Sequence, residues 1–257
     1  GRVSTDGVTP LSTTFDHVGL LARDLDTLAR ASAVLLDATA VAPPVRPLVI
    51  GFDPHRLEGV DDDIAEAIFA SLILLGAAGH DVRELHLPDR DALIDVHATI
   101  TCAEARAAWA AHWPHDAHRL GDTIRRTLDF AQGITETEVG EARAAMTELS
   151  AGIGAAVATV DVVLGPTLRV PPPATGARRV RVGDADVPVV RVLLAETCPF
   201  NLSGHPALSL PVPERRAGVP VSMQLAGADD MTLLAHADVI SRALAARPGS
   251  APGAALG

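Results

Sequence analysis

The stretch from Leu48 to Leu87 constrains the fold more than any other part of the sequence. Leu48-Val49-Ile50-Gly51-Phe52 is a short apolar run bounded by prolines, which predicts a buried strand. Behind the acidic start Asp61-Asp62-Asp63, the residues Ile64, Ala67, Ile68, Ser71, Leu72 and Leu75 recur on one helical face. Gly79 ends that helix and Asp81–Leu87 alternates as a second strand. Strand, helix and strand in about 40 residues is the length of a βαβ unit. The three aspartates point in different directions around a helix, so they read as a solvated cap and not as a metal site.

The remaining elements extend this pattern. Asp24 is placed to cap a helix carrying Leu25, Leu28, Ala29 and Leu36, after a turn-rich entry segment over residues 1–16. From about Ala92 to Thr159 the reading is almost wholly helical, with Thr135 and Glu138 at capping-box spacing ahead of Val139, Ala142, Met146, Leu149, Ile153 and Ala156. Asp161–Leu164 reads as a strand that stops at Gly165-Pro166, and Pro166–Gly176 as a proline-rich loop of the kind that lines sites beside strand ends. A hairpin is expected at Gly183-Asp184, two further strands at Ala207–Val212 and Val219–Leu225 around a turn at Glu214–Gly218, and a last helix from about Met231 to Ala246 with Asp230 as its N-cap. The prediction is an α/β fold over residues 1–247, layered α/β/α with a mixed, largely parallel central sheet, followed by a mobile tail at 248–257.

Charge and residue types then exclude several chemistries. The 257 residues hold 21 Lys+Arg against 32 Asp+Glu, a net charge of −11, so a nucleic-acid-coating surface is not expected. No apolar run reaches the roughly 18 residues of a membrane span, and Gly1-Arg2-Val3-Ser4 has no signal-peptide character, so a cytoplasmic location is the expectation. All of the basic residues are arginine; the sequence contains no lysine. Schiff-base, P-loop and general-base lysines are therefore impossible within this chain, and arginine, with a pKa above about 12, does not replace them. Motifs of the forms H-E-x-x-H, G-x-S-x-G, G-x-G-x-x-G and G-x4-G-K-[ST] are absent. His112, His115 and His118 are interrupted by Pro114 and read as a solvent-facing cluster, and Cys102 and Cys198 as buried free thiols. No metal or cofactor is implied.

Three ordered segments carry a family resemblance that spans essentially the whole chain. The first is GRVSTDGVTPLSTTFDHVGLLARDLDTLA, the second DVVLGPT, and the third TCPFNLSGHPALSLPVP followed by GVPVSMQLAG. Together they resemble the amidase signature family of amide hydrolases, with one departure: Leu20 stands where a proline usually follows [LF]-D-x-V-G. The resemblance implies amide C–N bond hydrolysis of a small-molecule substrate. It also implies a Ser, cis-Ser, Lys constellation whose members lie upstream of the matched segments, so the chain looks like the C-terminal portion of such an enzyme, with a sheet incomplete at its N-terminal side. No catalytic residue is then carried by the chain itself, which by this reasoning is inactive alone.

By the same resemblance, Thr13, Thr14 and Asp16 stand in a loop facing the family's cleft, Pro166 and Thr167 in its Pro-Thr loop, and Cys198 and Asn201 in the segment around F-N-x-x-G. These seven are the candidate substrate-binding residues. Asn201 tying down a turn and Asp16 a loop are the competing structural roles. A sheet lacking strands predicts an uncovered apolar face that self-associates or docks a complementary N-terminal chain. The alternative to an enzyme portion is a non-catalytic binding protein that retains the amidase scaffold.

Overall fold

The computed structural model describes residues 2–216 and 219–246. The expected tail at 248–257, and Ala217 and Gly218 of the expected turn, lie outside the described residues. After the entry segment the chain forms α1 (Leu25–Leu35), β1 (Val49–Phe52), α2 (Asp62–Ala77), β2 (Asp81–Glu84) and α3 (Arg90–Ala108). It continues with α4 (Asp122–Ala131), α5 (Glu136–Val157), β3 (Val162–Pro166), a hairpin of β4 (Arg179–Val182) and β5 (Ala185–Pro188), and the short helices α6 (Val189–Leu194) and α7 (Cys198–Ser203). Strands β6 (Ala207–Arg216) and β7 (Val219–Ala226) and helix α8 (Asp230–Ala245) complete the fold.

The βαβ unit forms where the pattern placed it. β1 pairs parallel with β2 on one side and with β3 on the other, while β3 and β6 both pair antiparallel with β7. The resulting five-stranded sheet is mixed, in the order β2-β1-β3-β7-β6. On one face Leu48, Ile50, Leu164 and Met223 pack with the apolar stripes of α2 and α8; on the other, Val163 and Ala226 meet α3, α5 and α7. The buried residues of α2 are Ile64, Ala67, Ile68, Ser71, Leu72 and Leu75, the same six that the helical period picks out. Among the described residues no helix is long and apolar enough to cross a membrane.

Caps account for the helix boundaries. The Asp24 side chain accepts from the Thr27 N–H at 2.8 Å, and Thr135 and Glu138 form a reciprocal capping box on α5. The last helix starts one residue earlier than its pattern suggests: Asp229, not Asp230, is the N-cap, accepting from the Thr232 N–H at 3.0 Å. The long helical region resolves into α3, α4 and α5, because the chain turns through Trp109–Gly121 around Pro114 and restarts at Gly121. Helices α6 and α7 were not expected; at six residues each they are too short to show a period.

The β1 backbone is closely packed at Gly51, where Leu85 and Val160 crowd it. A Cβ there would lie 2.3 Å from Leu85 Cδ2 and 2.9 Å from Val160 Cγ1. Gly51→Ala therefore overpacks a closed interface and should cost about 1–3 kcal/mol. In the exposed part of α5, by contrast, a Cβ at Gly140 meets nothing, and Gly140→Ala should stabilise by about 0.5–1 kcal/mol. Thermal melts of the two variants check this; equal melting of Gly51→Ala and the parent would show that Leu85 yields freely.

Candidate functional site

The entry loop is held by two carboxylates, one its own and one from α3. Asp16 folds back within the loop, its Oδ2 accepting from the Leu11 N–H at 2.8 Å and the Ser12 N–H at 3.0 Å. Glu104 reaches up from α3 and accepts from Ser12 Oγ at 2.6 Å, the Thr14 N–H at 2.9 Å and Thr14 Oγ1 at 2.5 Å. Arg143 of α5 donates to the same carboxylate at 2.8 Å. Burial raises the Glu104 carboxyl, but the hydrogen bonds from Ser12, Thr14 and Arg143 outweigh it and hold the group down at about 2. Between the two anchors Phe15 stacks on His97 of α3, ring centroids 4.4 Å apart, and burial pushes that imidazole down to about 4.

This loop forms one wall of a groove of about 380 Å³. Thr14, Phe15, Asp16 and His17 line it on the loop side, Leu28 and Leu35 of α1 lie beside them, and Asn201, His205 and Leu208 face them from α7 and the start of β6. Of the seven candidate residues, Thr14, Asp16 and Asn201 thus come together at one groove. Thr13 is exposed on the same loop, outside the groove lining. Pro166 is buried at the end of β3, and Thr167 Oγ1 lies 3.1 Å from Ser209 Oγ, next to the part of β6 that enters the groove.

Cys198 is fully buried at the start of α7, and burial pushes its thiol up to about 12. A thiolate is thus strongly disfavoured there, which argues against Cys198 as a nucleophile. Below it lies a set of buried charges. Glu196 and Arg56 are 4% and 5% exposed; Arg90 Nε stands 2.9 Å from the Glu196 carboxylate and Arg56 Nη1 stands 3.8 Å from it. Arg56 also donates to the carbonyls of Pro88 and Ala195, and Gln224 of β7 donates to the Glu196 carbonyl at 2.6 Å. Burial pushes the Glu196 carboxyl upward against the pull of Arg90, Arg56 and Arg169, and pushes the Arg56 guanidinium downward. Arginine stays charged in such a setting. The cluster joins the turn at Pro54–Leu57, α3 and the α6–α7 segment that positions Asn201.

Among the described residues no group of three or more His, Cys, Asp or Glu is placed to hold a metal ion. His112, His115 and His118 are exposed, and His112 pairs with Asp116 at 3.0 Å.

Two groups of site residues escaped the motif reading. Glu104 lies on the buried face of α3 at helical spacing from His97, Ile100 and Thr101, and an acid at a core-facing position was the available signal. Glu196 likewise directly follows the apolar run Val192–Ala195 and precedes the buried Cys198–Phe200. Arg56, isolated in a short turn, gives no such signal.

The family model for amidases matches residues 1–234. The chain belongs to the amidase family. It is 30% identical over 237 residues to the 2-amino-5-chloromuconic acid deaminase of Comamonas testosteroni, covering 88% of this chain and 50% of that protein. It is 27% identical over 271 residues to a glutamyl-tRNA(Gln) amidotransferase subunit from Prosthecochloris aestuarii, covering 88% of this chain and 55% of the relative. A crystal structure of an amidase superposes with a TM-score of 0.88 at 27% identity, covering 95% of this chain and 56% of that one. The chain thus spans about half the length of the curated relatives it matches.

Two measurements test the site. In the folded chain Glu104 titrates at about 2 against an ordinary 4.5, so its contribution to stability is complete above about pH 4.5 and is lost as the pH falls through about 2. Glu104→Gln should remove that part of the acid dependence, flattening the melting temperature between pH 4.5 and 2, while lowering stability at pH 7. An unchanged acid limb would remove Glu104 from the network. Arg56→Met leaves buried carboxylates short of a partner and should cost about 3–5 kcal/mol in denaturant unfolding at pH 7; a loss below about 1 kcal/mol would show that Arg90 alone suffices.

Proposed function

We propose that this chain is the C-terminal portion of an amidase-signature hydrolase that cleaves the C–N bond of a small-molecule amide, and that it does not turn over alone. What carries the reading is the amidase match over residues 1–234 in a chain with no lysine. In the mechanism implied by the resemblance, a neutral lysine takes a proton relayed through a bridging serine, so that a second serine attacks the carbonyl and backbone N–H groups hold the oxyanion. That acceptor needs a tunable pKa, which arginine lacks. The nucleophile, bridging serine and lysine then come from the part of the fold that this chain does not match.

The chain's own share is the wall of the substrate pocket. Thr14, Asp16 and Asn201 face the substrate in that wall, with Thr13, the Pro166–Thr167 bend and Cys198 beside them as its support. Cys198 acts there through packing, because its thiol is buried and protonated. The relatives' names point two ways, one to 2-amino-5-chloromuconic acid and the other to glutamyl-tRNA(Gln). A net charge of −11 opposes a polyanionic partner, which supports a small-molecule amide.

Ammonia release from acetamide and benzamide by the purified 257-residue chain is the direct check. The expected rate equals that of a matched blank, and turnover above it would overturn the division of labour. Release should appear when the chain is co-expressed with the N-terminal half of the Comamonas testosteroni deaminase, and no release from any such pairing would count against the amidase role.

A further inference from the structure

The five-stranded sheet ends on one side at β2, across the sheet from the groove, which lies against β6. β2 packs chiefly on β1 and α2, and three of its four side chains, Asp81, Arg83 and Glu84, are exposed. Its parallel pairing with β1 decides which backbone groups are already bonded. The Asp81 N–H donates to the Leu48 carbonyl at 2.9 Å and the Leu85 N–H to the Phe52 carbonyl at 2.9 Å, so Arg83 between them also faces β1. The N–H and C=O groups of Val82 and Glu84 therefore point outward, and among the described residues no strand pairs with them.

An exposed edge is a template for a further strand, and charges are the usual guard against that. The charges of β2 guard it poorly against a second β2, because they alternate in sign along one face. Asp81 and Arg83 stand two residues apart on the same side of the strand, and Arg83 Nε donates to Asp81 Oδ2 at 2.8 Å. A twofold antiparallel pair has to match outward-facing residues with outward-facing ones, so it centres on a residue and not between two. Centred on Asp81, Arg83 or Glu84, it sets two like charges face to face, which is destabilising. Centred on Val82, it sets Asp81 of each copy against Arg83 of the other and Glu84 against His80, with no like charges opposed. The two Asp81–Arg83 pairs then form a ring of alternating sign, and the two Val82 residues exchange both of their backbone hydrogen bonds.

We infer that the β2 edge is a homodimer contact whose occupant is β2 of a second copy of this chain, paired antiparallel in the register centred on Val82. The contact joins two five-stranded sheets into one and stands apart from the groove and from its reading as a substrate pocket. A four-residue strand is small beside the roughly 800 Å² per partner of a standard interface, so the dimer is weak and reversible. The net charge of −11 on each copy opposes the encounter. At physiological ionic strength that repulsion is screened beyond about 8 Å, whereas opposed residues of a hydrogen-bonded strand pair lie about 5.5 Å apart, where the alternating charges act at full strength.

Sedimentation equilibrium of the full 257-residue chain, from about 10 μM to about 1 mM in about 0.15 M salt, should show a monomer–dimer equilibrium. Arg83→Asp and Asp81→Arg, both at exposed positions, should keep the far-ultraviolet spectrum and each weaken the dimer by about tenfold or more, because each opposes like charges across the axis. Mixed one to one, the two variants set two acids against two bases and should recover a heterodimer that neither forms with itself. In hydrogen exchange the Val82 amide should slow by about tenfold or more between dilute and concentrated parent chain, while the Asp81 and Leu85 amides, already bonded to β1, change little. Four results overturn the contact: a monomer over the whole range, a dimer that tolerates both charge reversals, a mixture of the variants that stays monomeric, and a dimer in which Val82 gains no protection.

Discussion

The Glu104 carboxylate is the contact on which the rest of the site depends. It sits on α3, accepts from two residues of the entry loop and is braced by Arg143 of α5. Loop, α3 and α5 are therefore fixed against one another by charge-assisted hydrogen bonds, each stronger than its neutral counterpart. Remove the carboxylate and Ser12, only 2% exposed, holds a buried hydroxyl with no acceptor. Asp16 closes the loop on itself, whereas Glu104 ties it to the body of the protein. The groove wall formed by Thr14, Phe15 and Asp16 inherits its position from that tie.

Much of the framework is legible in the sequence because its causes are local. The α2 stripe, the Thr135–Glu138 capping box and the Asp24 cap each depend on residues within a few positions of one another, so spacing alone exposes them. The six-residue helices α6 and α7 are not legible, since a turn and a half carries no periodicity and their boundaries depend on tertiary packing, of α7 on α3 and α5 and of α6 on the β4–β5 hairpin. The site divides along the same line. The loop-closing role of Asp16 spans five residues and was foreseeable, whereas Glu104 meets Ser12 across 92 positions and Arg56 meets the Ala195 carbonyl across 139. Contacts of that kind belong to the folded topology, and no window of sequence contains both partners.

The two anchoring clusters also explain why a chain so rich in arginine folds without lysine. Arg56 donates to two carbonyls while facing Glu196 and Asp53, and Arg90 donates to carbonyls of the Pro54–Leu57 turn while pairing with Glu196. A planar fork serves several acceptors at once and keeps its charge when desolvated; a lysine in the same place would present one point charge and lose it more readily. This property suits arginine to scaffolding and disqualifies it from proton transfer, because a base must be able to exist without its proton.

The same division governs what the described groups can offer to catalysis. Burial drives the Cys198 thiol to about 12 and the His97 imidazole to about 4, so at neutral pH one is a protonated thiol and the other an uncharged ring stacked on Phe15. Hydrogen bonding drives Glu104 to about 2, too acidic to hold a proton in transit. Each of these groups is fixed in one protonation state by the packing that makes it structurally useful. A site that hydrolyses amides needs at least one group poised between two states. Groups held this way set the shape of the groove and its surroundings and do not shuttle protons at neutral pH.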